Sequence, residues 1–411
     1  MTFVYQPQIS IAPLTLDALN KLPTAASLGL FNAQFTYDLQ PIVFEAITNG
    51  SGATVTHDAT NRSALMTFSS TPTGGKAYMQ SYEYLRYQPG NAQGAIITFN
   101  MLSSVANCIK FVRYGDAVNA YQFSNDGTNN IFSILSSTTS GNQIKNQTEW
   151  NLDKLDGSSN AANPSGHLFD ITKEQLFIVD IAALYTEGAK FGFVINGINV
   201  WCHRFSFSNV GVYAYIADAN LPASAGMTCT GTVSTTMSFH CCAVYSSGGS
   251  IITPQYQFSQ EGTATAASGV DTHLLSIRPL TTFNSITNRT NLVPNSINML
   301  VTGNSPILWK LVVGQAITGT TTFTTVNSTF AAAEYNTAGT ASGSPAIVVD
   351  QGYVAASNQA KGIMESSVTF RYPICLDAAG AVGINRTMSL LVQGIGGASA
   401  CRGSIIWYGA R

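Results

Sequence analysis

The residues best suited to chemistry gather in one stretch, EWNLDKLDGSS at 149–159, which holds Glu149, Asp153 and Asp156. Two carboxylates at short spacing suit glycoside cleavage, one as the acid and the other as base or nucleophile. They also suit Ca²⁺, a hard cation that takes carboxylate oxygens. The same residue types make turns, because an Asp side chain accepts from backbone amides a few residues on and Asp-Gly is a turn dipeptide. The turn is the ordinary reading, with Trp150 as a core anchor and with Asp153 and Asp156 as the Ca²⁺ candidates. Asp170 and Asp180 flank a β-run and join the cluster only if the fold brings them close.

Imidazole and thiol meet twice, in FHCCAV (239–244) and at Cys202-His203. On a strand, His240 and Cys242 share a face while Cys241 points the other way. A zinc site therefore needs a neighbouring strand to complete it, and buried thiols beside a satisfied or surface His are the simpler reading. The seven Cys are odd in number and irregular in spacing, as expected of reduced core residues. There is no G-x-S-x-G elbow, H-E-x-x-H, Walker A or C-x-x-C motif; such motifs carry the common hydrolytic, metal and redox chemistries. Gly394, Gly396 and Gly397 crowd together without completing a phosphate-binding pattern. The expectation is a protein without cofactor or metal that is not an enzyme.

Two further stretches suit contact. In SYEYLRYQPGNAQ (81–93), strand alternation puts Tyr82, Tyr84 and Arg86 on one side and Ser81, Glu83, Leu85 and Tyr87 on the other. Tyr and Arg are favoured at interfaces, so the stripe fits a sugar or a protein neighbour; an amphipathic edge strand is the alternative. In KFGFVINGINVWCHRF (190–205), Asn196-Gly197 between apolar runs predicts a hairpin with a type I′ turn. Pairing outward puts Ile195 with Ile198, Phe193 with Val200 and Phe191 with Cys202 on a core face. The other face pairs Val194 with Asn199, Gly192 with Trp201 and Lys190 with His203. Trp201 and His203 are thus contact or glycan-binding candidates.

The elements that must position these residues are strands. Runs such as 94–102, 107–115, 119–124, 130–135, 175–184, 210–217 and 230–247 follow one another with turn punctuation, which indicates a sandwich or barrel. Helical signal is sparse: TLDALNKL (15–22), with Thr15 as N-cap, is expected to make two turns and TKEQLF (172–177) one. SSGGSIITPQ (246–255) marks a domain boundary, and eight more β-runs follow it.

Of 411 residues, 45% are apolar and only 10% charged, with a net charge of −2, where about 25% charged is usual. No basic excess exists to hold a phosphate backbone, so no nucleic-acid partner is expected. No apolar run is long enough for a membrane span, and the start, MTFVYQPQIS, has no leader-like pattern. A neutral, polar surface suits large protein contacts with little desolvation of charge.

Three segments in order, SYEYLRYQPGNAQ, then 149–205, then LLSIRPLTTFNSITNRTNLVP with a terminal GSIIWYGAR, resemble virion structural proteins of tailed bacteriophages and related viruses. The resemblance spans roughly residues 78–411 and leaves 1–77 outside it. It implies a particle component, localised to the virion, that contacts other virion proteins and copies of itself, with a trimer as the expected form. The middle block also resembles a concanavalin-like sandwich, which implies a lectin-type face. The expected architecture is all-β: an N-terminal attachment segment with the first strands at 1–77, a concanavalin-like β-sandwich at 78–248 and a second sandwich or jelly roll at 249–411. The expected function is a structural virion protein. The alternatives are a carbohydrate-binding receptor-recognition protein, with a host surface glycan as partner, and after it a glycan depolymerase.

Overall fold

A computed structural model describes residues 27–183, 185–248, 256–345, 347–356, 364–367, 374–383 and 386–410. The expected helix at 15–22 lies outside the described residues. The protein is all-β with antiparallel sheets, as its alternating sequence requires. Its described residues form two units, 27–80 with 87–248 and 81–86 with 256–410. The break falls inside the Ser/Gly/Pro stretch, where few side chains are large enough to tie a linker to a core.

The first unit is a sandwich of fifteen strands. These are β1 (Leu28–Gln34), β2 (Phe44–Asn49), β3 (Ala53–Asp58), β4 (Ser63–Thr71), β5 (Lys76–Ser81), β6 (Gln93–Asn100), β7 (Cys108–Gly115) and β8 (Ala120–Asn125). Then follow β9 (Asn130–Leu135), β10 (Gln143–Asn146), β11 (Gln175–Ala183), β12 (Gly188–Ile195), β13 (Ile198–Ser206), β14 (Ala223–Cys229) and β15 (Val233–Ser246). One sheet runs β13-β12-β11-β6-β15-β4-β3 with β1 also on β15; the other runs β10-β9-β8-β7-β14-β5-β2. Residues 27–77, set apart in the sequence as an attachment segment, thus give strands to both sheets. Phenylalanines fill the space between the sheets: Phe123 of β8 lies 5.1 Å from Phe193 of β12, and Phe132 of β9 lies 5.2 Å from Phe191. Such edge-on and tilted pairs add to the burial of large apolar area.

The hairpin forms as its turn residues require. Asn196 and Gly197 both have positive φ, 53° and 76°, and the register follows the expected pairs as far as Gly192 and Trp201. There a β-bulge intervenes, and His203, not Cys202, pairs with Phe191. An extra residue in one strand reverses the facing of all that follows it. Trp201 therefore stays on the outer face while His203 turns to the face of Phe191, and the expected grouping of the two is corrected. Ile198, assigned to the core face, lies at the tip and is 67% exposed.

Two other expected strands are absent as such. Residues 210–217 form a loop, because Phe207 stacks on Tyr215 at 4.5 Å and folds the chain between them outward. Val210, Val212 and Tyr213 are exposed there. Segment 81–87 bends after Ser81, and its residues 81–86 belong to the second unit.

That second unit has a four-strand sheet (Tyr256–Ala266, Ser399–Ala410, Asn291–Val301, Met364–Ser367) and a six-strand sheet centred on Thr272–Pro279, Met388–Gly394 and Ile307–Val313. Leu275, Trp309, Leu390, Ile405 and Trp407 share its core.

Candidate functional site

Where three turns of the first unit converge there is a cavity of about 430 Å³. The β8–β9 turn contributes Thr128, Asn129 and Asn130, the 3₁₀ turn after β10 contributes Asn146, Gln147 and Thr148, and the following loop contributes Lys154 and Asp156. Leu168 and Phe169 complete the lining. Almost every polar group there is a neutral amide or hydroxyl, able both to donate and to accept.

The fold holds these groups from below. The indole of Trp150 stacks on Phe132 at 4.2 Å and fixes the chain just after the 3₁₀ turn to the core. Phe169 is buried and packs on Phe193 at 4.5 Å. The bulge in β13 leaves the Cys202 carbonyl oxygen to accept from both Leu152 and Asp153 amides, at 3.0 and 3.1 Å. Asn151 pairs with the Arg204 backbone in both directions, at 3.0 and 2.9 Å. The loop that lines the cavity is therefore stitched to the edge strand of the hairpin.

An amide relay sets the cavity wall. Asn125 Nδ2 donates to Asn130 Oδ1 at 3.0 Å, Asn130 Nδ2 donates to Gln147 Oε1 at 2.8 Å, and Gln147 Nε2 donates to the carbonyls of Lys154 and Leu155 at 2.8 and 3.1 Å. Leu155, between the two charged lining residues, has φ 46°. A side chain with a branched or bulky body pays a steric penalty in that region, so such strain persists only where the surroundings over-determine it. Here the Leu155 amide donates to Asp153 Oδ1 at 3.0 Å, and its carbonyl also accepts from Phe169 N at 2.9 Å.

The expected carboxylate cluster resolves into turns. Asp153 is buried, and its two oxygens accept from Leu155 N at 3.0 Å and Ser165 N at 2.9 Å. Asp156 accepts from the Ser158 hydroxyl and amide, which hold its carboxyl below the ordinary value. Glu149 pairs with Lys145 at 3.0 Å and accepts from Asn146 N at 3.1 Å. Asp170 caps its own turn through Thr172. The Ca²⁺ candidates Asp153 and Asp156 are thus turn residues, and among the described residues no three His, Cys, Asp or Glu side chains group as metal ligands. His240 meets Glu174 at 3.1 Å, and the described cysteines are free thiols. Burial pushes the Cys242 thiol far up.

The contact candidates fare differently from one another. Trp201 is half-buried on the outer face of the edge strand β13. His203 is 4% exposed, with Phe205 at 4.5 Å and the Asn151 amide donating to its Nδ1 at 3.3 Å. Burial pulls its pKa down to about 4, so it is a neutral core residue rather than a surface ligand. Tyr82 and Tyr84 do not form an open stripe with Arg86. Within the second unit, the Arg386 guanidinium lies over the Tyr82 ring at 3.2 Å and that of Arg289 over Tyr84 at 4.3 Å. Tyr84 is buried, and its carbonyl accepts from Asn291 Nδ2 at 3.1 Å; Arg86 is half-buried.

No family model matches the chain, and no curated protein matches it. Among solved structures it is similar to a conserved carbohydrate esterase from Shiga toxin-encoding bacteriophage phi24B (10% identity, 54% of this chain and 99% of that one, TM-score 0.34). It is similar also to a GlcNAcα1-4Gal-releasing endo-β-galactosidase from Clostridium perfringens (8% identity, 64% and 72%, TM-score 0.34). A legume lectin-like domain from Entamoeba histolytica is a third (9% identity, 54% and 99%, TM-score 0.31). The expectation of a non-enzyme is corrected on this finding, since carbohydrate-active enzymes stand among the structures the chain resembles. The correction removes an exclusion; likenesses this distant assign no reaction.

Sequence reasoning missed the cavity. Its signal lies in NDGTNN (125–130) and NQIKNQT (142–148), two amide-rich turns within one sandwich. Each alone reads as ordinary turn chemistry.

Proposed function

We propose that the first unit binds a neutral carbohydrate in the cavity between the β8–β9 turn, the 3₁₀ turn and the Lys154–Asp156 loop. The observation that carries this reading is the lining itself: amides and hydroxyls around one oppositely charged Lys–Asp pair, with Leu168 and Phe169 as an apolar part. Sugar hydroxyls need donors and acceptors in close alternation, and a wall of neutral groups loses little on desolvation. The strained Leu155 supports the reading, because such backbone concentrates where a binding surface is held in shape.

Thr128→Val with Thr148→Val tests it. Among the described residues neither hydroxyl makes a hydrogen bond, so thermal stability should not change. Binding of a sugar found on a broad glycan array should weaken about tenfold, two lost hydrogen bonds at about 1 kcal/mol each being ample. No bound glycan on the array, or undiminished binding by the double variant, overturns the reading. With the resemblance to virion proteins, the reading extends to a particle component that recognises a host-surface glycan. Immunogold labelling of purified particles tests that extension, and unlabelled particles lacking the chain in mass spectra count against it.

A further inference from the structure

Leu168 is out of character with the rest of the cavity. It is 70% exposed, although its neighbour Phe169 is buried at 8%. Its backbone is held to Asp156 by an antiparallel bridge, and Gly157 leaves it room: a Cβ there would sit 3.3 Å from Leu168 Cβ. A fixed, solvent-facing aliphatic side chain at the rim of a polar pocket gains only if a ligand brings apolar surface to it. The cavity lining has no exposed aromatic face, so the apolar surface the ligand offers is aliphatic and compact rather than the flat face of a pyranose ring.

The polar groups beside Leu168 narrow the choice. Lys154 forms no ion pair among the described residues and offers N–H donors. Asp156 lines the cavity as a carboxylate that accepts from the Ser158 hydroxyl and amide through Oδ1 and is also met by the Asn163 side chain, and a carboxylate has acceptor positions beyond these. The loop thus presents a donor, an acceptor and an aliphatic seat side by side.

We propose that the cavity selects a 2-acetamido sugar, with the acetamido methyl on Leu168, its carbonyl oxygen accepting from Lys154 Nζ and its N–H donating to Asp156. This rests on the carbohydrate reading above and names the class of sugar. A 6-deoxy sugar also brings a methyl, but no amide to meet the Lys–Asp pair.

The test titrates the full chain, by calorimetry or saturation-transfer NMR, with glucose, glucosamine and N-acetylglucosamine, with the galacto series, and with fucose. The expected result is at least about tenfold tighter binding of an N-acetylhexosamine than of its parent hexose or free amine, one buried methyl and two hydrogen bonds together sufficing. That advantage, read in each variant as the ratio of N-acetylhexosamine to parent-hexose affinity, collapses in Leu168→Ser and shrinks in Lys154→Met. Equal binding of hexose and N-acetylhexosamine, or tighter binding of fucose, overturns the acetamido assignment and leaves the carbohydrate reading standing. Binding of none of these sugars overturns both.

Discussion

The side-chain amide of Gln147 donates to the carbonyl oxygen of Leu155, 3.1 Å away, and so braces the one non-glycine residue of the cavity loop that has left-handed backbone. The same nitrogen reaches the Lys154 carbonyl, and the Gln147 oxygen accepts from Asn130. A single side chain therefore joins the three turns that make the cavity.

Replacing that amide should dismantle the junction. Gln147→Ala leaves two carbonyls and the Asn130 amide without this partner, and at about 1 kcal/mol per bond urea denaturation should show a loss of about 2–3 kcal/mol. Sugar binding should fall with it. A stability within about 0.5 kcal/mol of wild type would mean the relay is not what braces the loop.

Gly192 and Gly197 stand five residues apart in the hairpin and should respond differently to alanine. A Cβ at Gly192 would lie 2.2 Å from the Val200 carbonyl oxygen, where backbone cannot yield cheaply; at Gly197 it meets nothing within 4 Å, and only φ 76° opposes it. Gly197→Ala should cost about 1 kcal/mol. Gly192→Ala should cost at least about 3 kcal/mol or prevent folding, since strand separation must change. Equal melting temperatures for the two variants would contradict the bulge geometry.

The hairpin also shows what the sequence could and could not say. Asn196-Gly197 announces its turn because few other pairs accept positive φ twice, and the turn then dictates register for the residues next to it. The bulge at Cys202 is not announced, because the partners of the carbonyl it leaves open are distant in sequence: Leu152 and Asp153 donate to it. Tyr82 and Tyr84 failed for the same reason. Their alternation is strand-like, but their ring faces are taken by Arg386 and Arg289, some two to three hundred residues on. The all-β class needed only local alternation, and that is why it was readable throughout. The cavity needed three turns to converge, and no local pattern encodes convergence.

His203 makes stability depend on acid. Burial lowers its pKa to about 4, against about 6.5 in an unfolded chain. Between those values the unfolded chain binds a proton that the native chain does not, so unfolding free energy falls as pH falls from about 6.5 to about 4. Burial lowers His273 as well, with the same sign. At 1.36 kcal/mol per pKa unit, His203 alone should account for roughly 3 kcal/mol across that window. Denaturant titrations at pH 7.0 and 4.5 should show His203→Gln losing less stability than wild type by about that amount; parallel losses would show that His203 is not titrating as a buried group.

Lys110 joins the two sheets of the first sandwich. It rises from β7 with 1% exposure, and its Nζ donates to the carbonyls of Met101, Ser103 and Thr236 at 2.6, 3.0 and 2.8 Å. Thr236 lies on β15 and Met101 just after β6, both in the opposite sheet. Burial pushes the amine down to about 8, while the three carbonyls favour its charged form, so each partner depends on the other. Lys110→Met keeps the aliphatic stem but leaves three carbonyls facing a thioether. It should destabilise the first sandwich by about 3 kcal/mol, the usual penalty for orphaning several buried polar groups. Hydrogen exchange should then speed at β6, β7 and β15 together, because the two sheets lose a shared tie; a loss confined to β7 would mean that Lys110 serves its own strand and not the junction between sheets.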